Sequence, residues 1–452
     1  MKIRGGVPVY PDVIQYADLI LDQRIWEGDG WKTESLSWKE SCYIHSGLSG
    51  TALLVTGPEA TDFLSKTSTN NVYNWKPGTM KHLVQLNEDG YIANHALAAK
   101  DDDCTYRIMA CPPWPLYMAA KLQMNVKVEF IPFFVHQISG PKAKEIIEKV
   151  TGDDISDVKF LDFRTIRIPG IDADLEVARI GMSGTIAYEI RGNMQYCAES
   201  YDAIYQIGKE YGIKRLGWRT YCVNHAEGGF PQAGCSFMYA FEKGYWDMLG
   251  VSTTSLPRGE GSDACVPEGF SERYGSPSDA GWGGMVGSCS PSDLIARFRT
   301  PYDVGWGGMV KFDHDFIGRE ALEKIAGDPP RTIVTLEWNQ EDVMDVWASM
   351  FGPKEEEYKI FELPCLVPQQ AGGLADKVLK DGKEVGISSF PTYSYYYRRF
   401  ISHCTLEKEL AEEGTEVIVC WGNYGQNIKE IRATVSRYPY TQQKLNQHYY
   451  ND

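Results

Sequence analysis

The stretch Val310–Ile325, VKFDHDFIGREALEKI, reads as a hinge that closes one globular body and opens another. Phe312, Phe316, Ile317, Ala321 and Leu322 are apolar, and Asp313, Asp315, Arg319, Glu320, Glu323 and Lys324 set charges between them before the run ends in Gly327-Asp328-Pro329-Pro330. The spacing of Ala321, Leu322 and Ile325 predicts a short helix starting near Gly318, and the double proline forbids its continuation. On physical grounds alone this is a domain junction.

Upstream of it the same local grammar occurs twice. A strand through Leu53 and Leu54 runs into Gly57-Pro58 and a helix reaching Leu64; Val135–Ser139 runs into Gly140-Pro141 and a helix over Lys144–Val150, stopped by Gly152. Proline is tolerated in the first turn of a helix, so both units read as strand, tight turn, helix. Between them lie a hairpin of Lys81–Leu86 and Ile92–Ala98 around Asn87–Gly90, a strand over Cys104–Ala110, a helix near Leu116–Met124 and a strand over Val126–Ile131. Strands at Phe163–Ile168, Leu175–Ile180 and Ala187–Arg191 precede an amphipathic helix over Tyr196–Tyr211. No alternating βαβ rhythm appears, which predicts an α+β fold with two related antiparallel sheet-plus-helix modules.

Downstream of Pro330 the pattern turns to strands: Thr332–Trp338, Tyr358–Leu363, Glu384–Ser389, Phe400–Leu406, Thr415–Cys420 and Ile428–Val435, with one helix over Glu341–Phe351. These predict a small antiparallel β-barrel or sandwich. The expected domains are residues 1–50 with 156–310, residues 51–155, and residues 311–452. A further helix is expected over Asp12–Leu21, followed by a loop from Trp26 to Trp31. Residues 252–300 are rich in Gly, Ser and Pro, and Asp279–Val286 is nearly repeated as Asp303–Val310. The repeated Gly-Trp-Gly-Gly is either a pair of similar strand or loop edges or a substrate lid. It is not a phosphate loop, because no Gly-Lys-Ser/Thr follows.

Composition narrows the function. With 45 basic against 61 acidic residues the formal charge is −16, which argues against a nucleic-acid partner. No run approaches the roughly 18 apolar residues of a membrane span, and a cytoplasmic protein is expected. Eleven scattered cysteines without a C-x-x-C pair predict reduced, mostly buried thiols. The histidines do not cluster with carboxylates, so no metal is expected.

The phrase KFDHDFIGREAL ahead of a C-terminal β domain closely resembles the glycine-cleavage T-protein (aminomethyltransferase) superfamily, and within it the tetrahydrofolate-dependent aromatic O-demethylases. The resemblance implies a T-protein-like three-domain arrangement and tetrahydrofolate as cofactor. Two further stretches carry it. In Gly181-Met-Ser-Gly184-Thr-Ile-Ala-Tyr-Glu189-Ile, the family's turn-then-strand places Glu189 as the carboxylate that accepts the adjacent N–H donors of the pterin. In Gly217-Trp-Arg219-Thr-Tyr221, the phrase of the O-demethylases makes Tyr221 the residue at the reacting ether. The chemistry is coherent: breaking an aryl ether leaves a phenolate-like oxygen, whose charge a phenol O–H can stabilise.

By the same resemblance His225 is a folate contact, Phe163 an aromatic cover for the pterin, and Arg219 either a cofactor contact or, with Glu227, a brace of the local turn. Trp31, Asn94 and Phe230 are candidates for the substrate side. Two departures matter. After Asp89-Gly90 the family places an aspartate, where this chain has Asn94-His95; His95 is then a substitute base or hydrogen-bond partner, which argues against aminomethyl transfer. Where the vanillate-type enzymes carry an arginine for a substrate carboxylate, this chain reads Ile108-Met109-Ala110-Cys111-Pro112. A buried carboxylate without its cation is costly, so the expected substrate is a small methoxy compound, aromatic and lacking a benzoate group at that spot. An aminomethyltransferase-like, sulfonium or methylenedioxy-cleaving folate-dependent activity, and a non-catalytic folate-binding scaffold, are the alternatives. The sequence does not indicate an oligomeric state.

Overall fold

Gly57 and Gly140 explain why the two strand-turn-helix units form. Both take positive φ, 124° and 136°. A Cβ would sit 2.7 Å from the Asn125 carbonyl at the first and 2.5 Å from the Ser41 carbonyl at the second. Each releases the chain from a strand into a helix that buries its apolar stripe. In this computed structural model, which describes residues 28–109, 112–249, 273–274, 287–290, 293, 295–365 and 374–441, these helices are α2 (Ala60–Thr67) and α4 (Ala143–Thr151). The expected helix Asp12–Leu21, Trp26 and the first repeat Asp279–Val286 lie outside the described residues.

The strands before the junction form one ten-stranded sheet: β1 (Tyr43–His45), β2 (Gly50–Thr56), β3 (Thr79–Leu86), β4 (Ile92–Asp102), β5 (Thr105–Met109), β6 (Lys127–Ser139), β7 (Phe163–Ile166), β8 (Leu175–Ala178), β9 (Ala187–Asn193) and β10 (Lys214–Arg215). Its main path runs β3-β4-β5-β2-β6-β9-β8-β7, with β1 between β6 and β10. What reads in the sequence as two strands, Val126–Ile131 and Val135–Ser139, is the single strand β6. Its first half pairs with β2 and its second half with β9, so it belongs to both modules.

Period-two alternation divides the sheet's two faces. Leu83, Ala96, Tyr106 and Ile108 pack against Phe63 and Leu64 of α2 and Trp114 of α3 (Trp114–Leu122). In the second module Ile138, Tyr188 and Ile190 pack against Ile146 and Ile147 of α4 and Ile204 of α5 (Cys197–Gly208). The other face gathers Ala52, Met80, Ala99, Met109, Phe133 and Ile180.

Arg219 and Glu227, expected as candidate braces of a local turn, stand instead on helix α6 (Trp218–Gly228). Every residue from Thr220 to Glu227 is buried, so no polar stripe exists to betray a helical period. Among the described residues two further named helices precede the barrel: α7 (Lys243–Met248) and, in the junction, α8 (Arg319–Glu323), which follows Gly318 as expected. The rest of the junction is sewn onto the end of α2 and the loop after it: the Lys311 amide donates to the Thr69 carbonyl, the Ile317 amide to that of Lys66, and Lys66 pairs with Asp315.

Beyond it, β11 (Arg331–Trp338), β12 (Asp376–Lys380), β13 (Lys383–Ser394), β14 (Arg399–Glu407), β15 (Glu416–Trp421) and β16 (Lys429–Ser436) close into a barrel in the order β11-β14-β13-β12-β15-β16, with α9 (Gln340–Ala348) outside. The expected strand Tyr358–Leu363 is not one. Its apolar residues signal burial of another kind: Phe361 enters the barrel and packs 4.6 Å, centroid to centroid, from both Phe400 and Trp421. Strand β12 took its place, hidden in the sequence by its lysines and Asp376. Among the described residues, no helix is long and apolar enough to cross a membrane, and the cysteines are free thiols, buried except for Cys104.

Candidate functional site

Opposite the helix-packed face, the sheet, α6 and residues 230–239 after it enclose a cleft of about 670 Å³, counting the part open to solvent. Strand β9 turns Tyr188 and Ile190 to the helices and therefore Glu189 to the cleft. Gln137 stands directly across from it in the β6–β9 register. Glu189 Oε1 accepts from Gln137 Nε2 at 3.0 Å; Oε2 accepts from Arg191 Nε at 2.8 Å and also from its Nη2. Glu189 is therefore fixed by a buried guanidinium beneath it. Gln137 Oε1 is buried without a hydrogen-bond partner, leaving an acceptor beside the carboxylate.

Tyr221, on α6, stacks on His45 with ring centroids 4.0 Å apart and planes 12° off parallel. Its hydroxyl is buried facing the Gln137 carboxamide without a well-formed hydrogen bond, and burial pushes the phenol well above its ordinary pKa. One turn on, His225 Nδ1 lies 2.8 Å from the Tyr221 carbonyl. A carbonyl can only accept, so Nδ1 carries the proton and Nε2 is the free acceptor. Burial takes His225 down to about 3, so it is neutral near pH 7.

Across the cleft, His82 Nδ1 lies 3.2 Å from His95 Nε2. Burial lowers both; the neighbouring His82 lowers His95 further, while the Glu189 carboxylate partly offsets the shift at His82. Trp306, from the second copy of the repeat, covers His95 at 4.2 Å between centroids. That repeat is a turn leading into a short 3-10 segment at Gly307–Met309. Phe230 is within 6.2 Å, ring to ring, of His82, His95, His225 and Trp306. Leu48, Leu97, Met109, Ile180 and Met182 supply apolar wall, and no Lys or Arg is among the described lining residues.

Of the residues singled out in the sequence, Glu189, Tyr221, His225, His95 and Phe230 thus meet in one cleft. Four others stand elsewhere. Asn94 points to the opposite face of β4 from His95 and donates to Gln85 under α2 at 2.8 Å. Phe163 packs in the cluster behind Met109, beneath the Arg107 guanidinium. Arg219 leaves α6 toward the barrel and donates to the Leu363 carbonyl. Trp31 opens α1 (Trp31–Glu40), edge-on to Tyr393 and Tyr395 of the barrel. Arg107, next to the position of the missing arginine, is held by Asp101 and Glu176. Sequence reasoning missed Gln137, His82, Tyr239 and Trp306. Alternation from Met80 could have pointed to His82; Gln137 needed the strand register. A larger, open groove on the barrel beside Arg399 and Arg432 contains none of these residues.

The profile of the GCVT N-terminal domain family matches residues 11–238. The chain is 35% identical over 428 residues to the sesamin methylene transferase of a Sinomonas species, covering 91% of this chain and 89% of that protein. It is 29% identical over 447 residues to the syringate O-demethylase of a Sphingobium species, covering 92% and 89%. The crystal structure of glycine cleavage system aminomethyltransferase T from Bartonella henselae shares the fold, with a TM-score of 0.63 at 14% identity over 93% of this chain and 92% of that one. The chain belongs to the glycine-cleavage T-protein superfamily. It is a tetrahydrofolate-dependent one-carbon transferase. The cleft fits the cofactor: Glu189 and the unpaired Gln137 Oε1 offer adjacent acceptors to the N–H donors of a pterin edge, between apolar walls.

Proposed function

We propose that this protein is an O-demethylase that moves the methyl group of a small, uncharged methoxyarene to tetrahydrofolate and releases a phenol. The observation that carries this reading is the cleft's charge pattern: a fixed carboxylate at one side, an unpaired phenol O–H at another, neutral histidines, and no cation in the described lining. Substrate carboxylates would be buried there without a partner, at a cost of several kcal/mol.

Tetrahydrofolate supplies the nucleophilic nitrogen N5. Glu189 and Gln137 hold the pterin, and the apolar wall excludes water, so orientation provides most of the rate. As the carbon–oxygen bond breaks, its electron pair stays on oxygen, and the Tyr221 hydroxyl donates a hydrogen bond to that charge. With its pKa raised by burial, Tyr221 keeps its own proton.

A second reading, transfer of a methylene group from a methylenedioxyarene, is favoured by the 35% identity to a sesamin methylene transferase over 91% of the chain. One experiment separates them. Wild type and Tyr221→Phe are incubated anaerobically with tetrahydrofolate and a panel of neutral methoxyarenes, methoxybenzoates and methylenedioxyarenes, and the folate pool is read by mass spectrometry. Methylated folate from neutral methoxyarenes, reduced about 100-fold or more in the variant, is the expected result. Methylene-level folate only from methylenedioxyarenes selects the second reading; no folate product from either class ends both.

A further inference from the structure

Transfer to N5 leaves one proton to place: the attacking amine sheds it and the departing oxygen needs it. Tyr221 stabilises that oxygen without giving up its own proton, so the transfer needs a carrier. His82 and His95 have the geometry of one. Their planes are 8° from parallel and their centroids 5.2 Å apart. With a nitrogen–nitrogen distance of 3.2 Å, this is two rings edge to edge in nearly one plane, joined by a shared hydrogen bond. Two neutral imidazoles meeting this way have two equivalent arrangements. Either His95 Nε2–H donates to His82 Nδ1, with His82 Nε2 protonated and His95 Nδ1 free, or every proton is shifted by one site.

Both rings line the cleft, and the outer nitrogens, His95 Nδ1 and His82 Nε2, have no hydrogen-bond partner among the described residues. The Tyr239 hydroxyl donates to the His95 carbonyl at 3.0 Å and Trp306 lies on the ring, so His95 is held against the pair. The other titratable groups sharing the cleft are Glu189, Tyr221, His225 and Tyr239. Glu189 is occupied by Arg191 and Gln137, and His225 Nδ1 by a carbonyl.

Resting on the O-demethylase reading, we infer that His82 and His95 form a two-ring proton relay in which a proton taken at one outer nitrogen is matched by one released at the other. Nothing is oxidised or reduced: the Nε2 proton of His95 crosses to His82 Nδ1 as His95 Nδ1 gains a proton and His82 Nε2 loses one, or the reverse. His82 acts through His95, so its side chain matters for moving a proton and not only for holding a ring.

The test has two arms on the full chain. In the first, the eight histidines are labelled with 15N and the imidazole resonances of His82 and His95 are assigned by their loss in His82→Gln and His95→Gln. Exchange between two tautomers in wild type, and a single fixed tautomer of His95 in His82→Gln, is expected; one fixed tautomer in wild type overturns the relay. In the second arm, kcat and KM are measured for His82→Leu, His82→Gln and His82→Ala. Both Leu and Gln variants should lose about 100-fold in kcat with KM within about twofold, and added imidazole should recover at least a tenth of the loss in His82→Ala. Glutamine can hold the hydrogen bond but cannot pass the proton, so wild-type kcat in His82→Gln would reduce His82 to a positioning residue and overturn the proposal. Failure of wild type to form any folate product would defeat the O-demethylase reading, while the first arm would still decide the relay.

Discussion

Gln137 and Tyr221 carry the sharpest consequences at the level of single residues. The carboxamide shares one hydrogen bond with Glu189 and keeps one acceptor in reserve. Gln137→Met should weaken tetrahydrofolate binding by about 1–2 kcal/mol, roughly 5- to 30-fold, as read by calorimetric titration. Glu189→Gln should do more damage and of a different kind. It leaves the fully buried Arg191 guanidinium without its counter-ion, so about 3–5 kcal/mol of stability should go with the binding, visible in urea denaturation without any ligand. Unchanged denaturation in that variant would mean that Arg191 finds another partner. Glu189, Tyr221 and His225 were legible because each sits in a phrase that resembles those of the T-protein family. His82 and Gln137 were not, since their significance comes from strand partners, His95 and Glu189, that only pairing brings beside them.

Between elements, a buried ion pair ties together α1, α6 and β13. Lys39 of α1 is buried between the rings of Trp38 and Tyr396 and pairs with Glu227 of α6, which also accepts from Ser394 of β13 at 2.6 Å. Lys39→Ala should cost about 3–5 kcal/mol by stranding a buried carboxylate, and Lys39→Met combined with Glu227→Gln should restore most of it. A double variant no more stable than the single one would refute that cause. The same elements show where sequence reading stops. Both Gly-Pro units were legible because positive φ and proline leave a local signature. Helix α6 was not, because an element buried on all sides has no amphipathic period, and Phe361 mimicked a strand by being apolar where the barrel needed a plug.

Across the whole molecule, buried neutral histidines set the pH dependence of stability. His136 and His225 are held down to about 3 and His403 to about 4, in each case first by burial. The unfolded chain binds their protons below about 6.5 and the folded chain does not, so stability is whole above that pH and is lost as pH falls toward the folded values. Each histidine contributes a slope approaching about 1.4 kcal/mol per pH unit. Asp376, raised to about 7 by burial, works the other way between about 7 and 4. His82 and His95 are lowered by burial too, and Glu34 and Asp89 are raised by it. Five histidines against three carboxylates leave a net loss, so Tm should fall from pH 7 to pH 5, and a flat or rising Tm would contradict the assignment of these rings as neutral.

One pairing bears on the order of synthesis. Strand β1 lies between β6 and β10, with His45 bonded to the Leu216 carbonyl 171 positions later. On a ribosome adding about 5–20 residues per second, β1 would wait roughly 10–35 s for that edge to emerge. During that interval Tyr43 and Ile44, both fully buried in the finished protein, would be open to any chaperone or neighbouring nascent chain that recognises apolar strands.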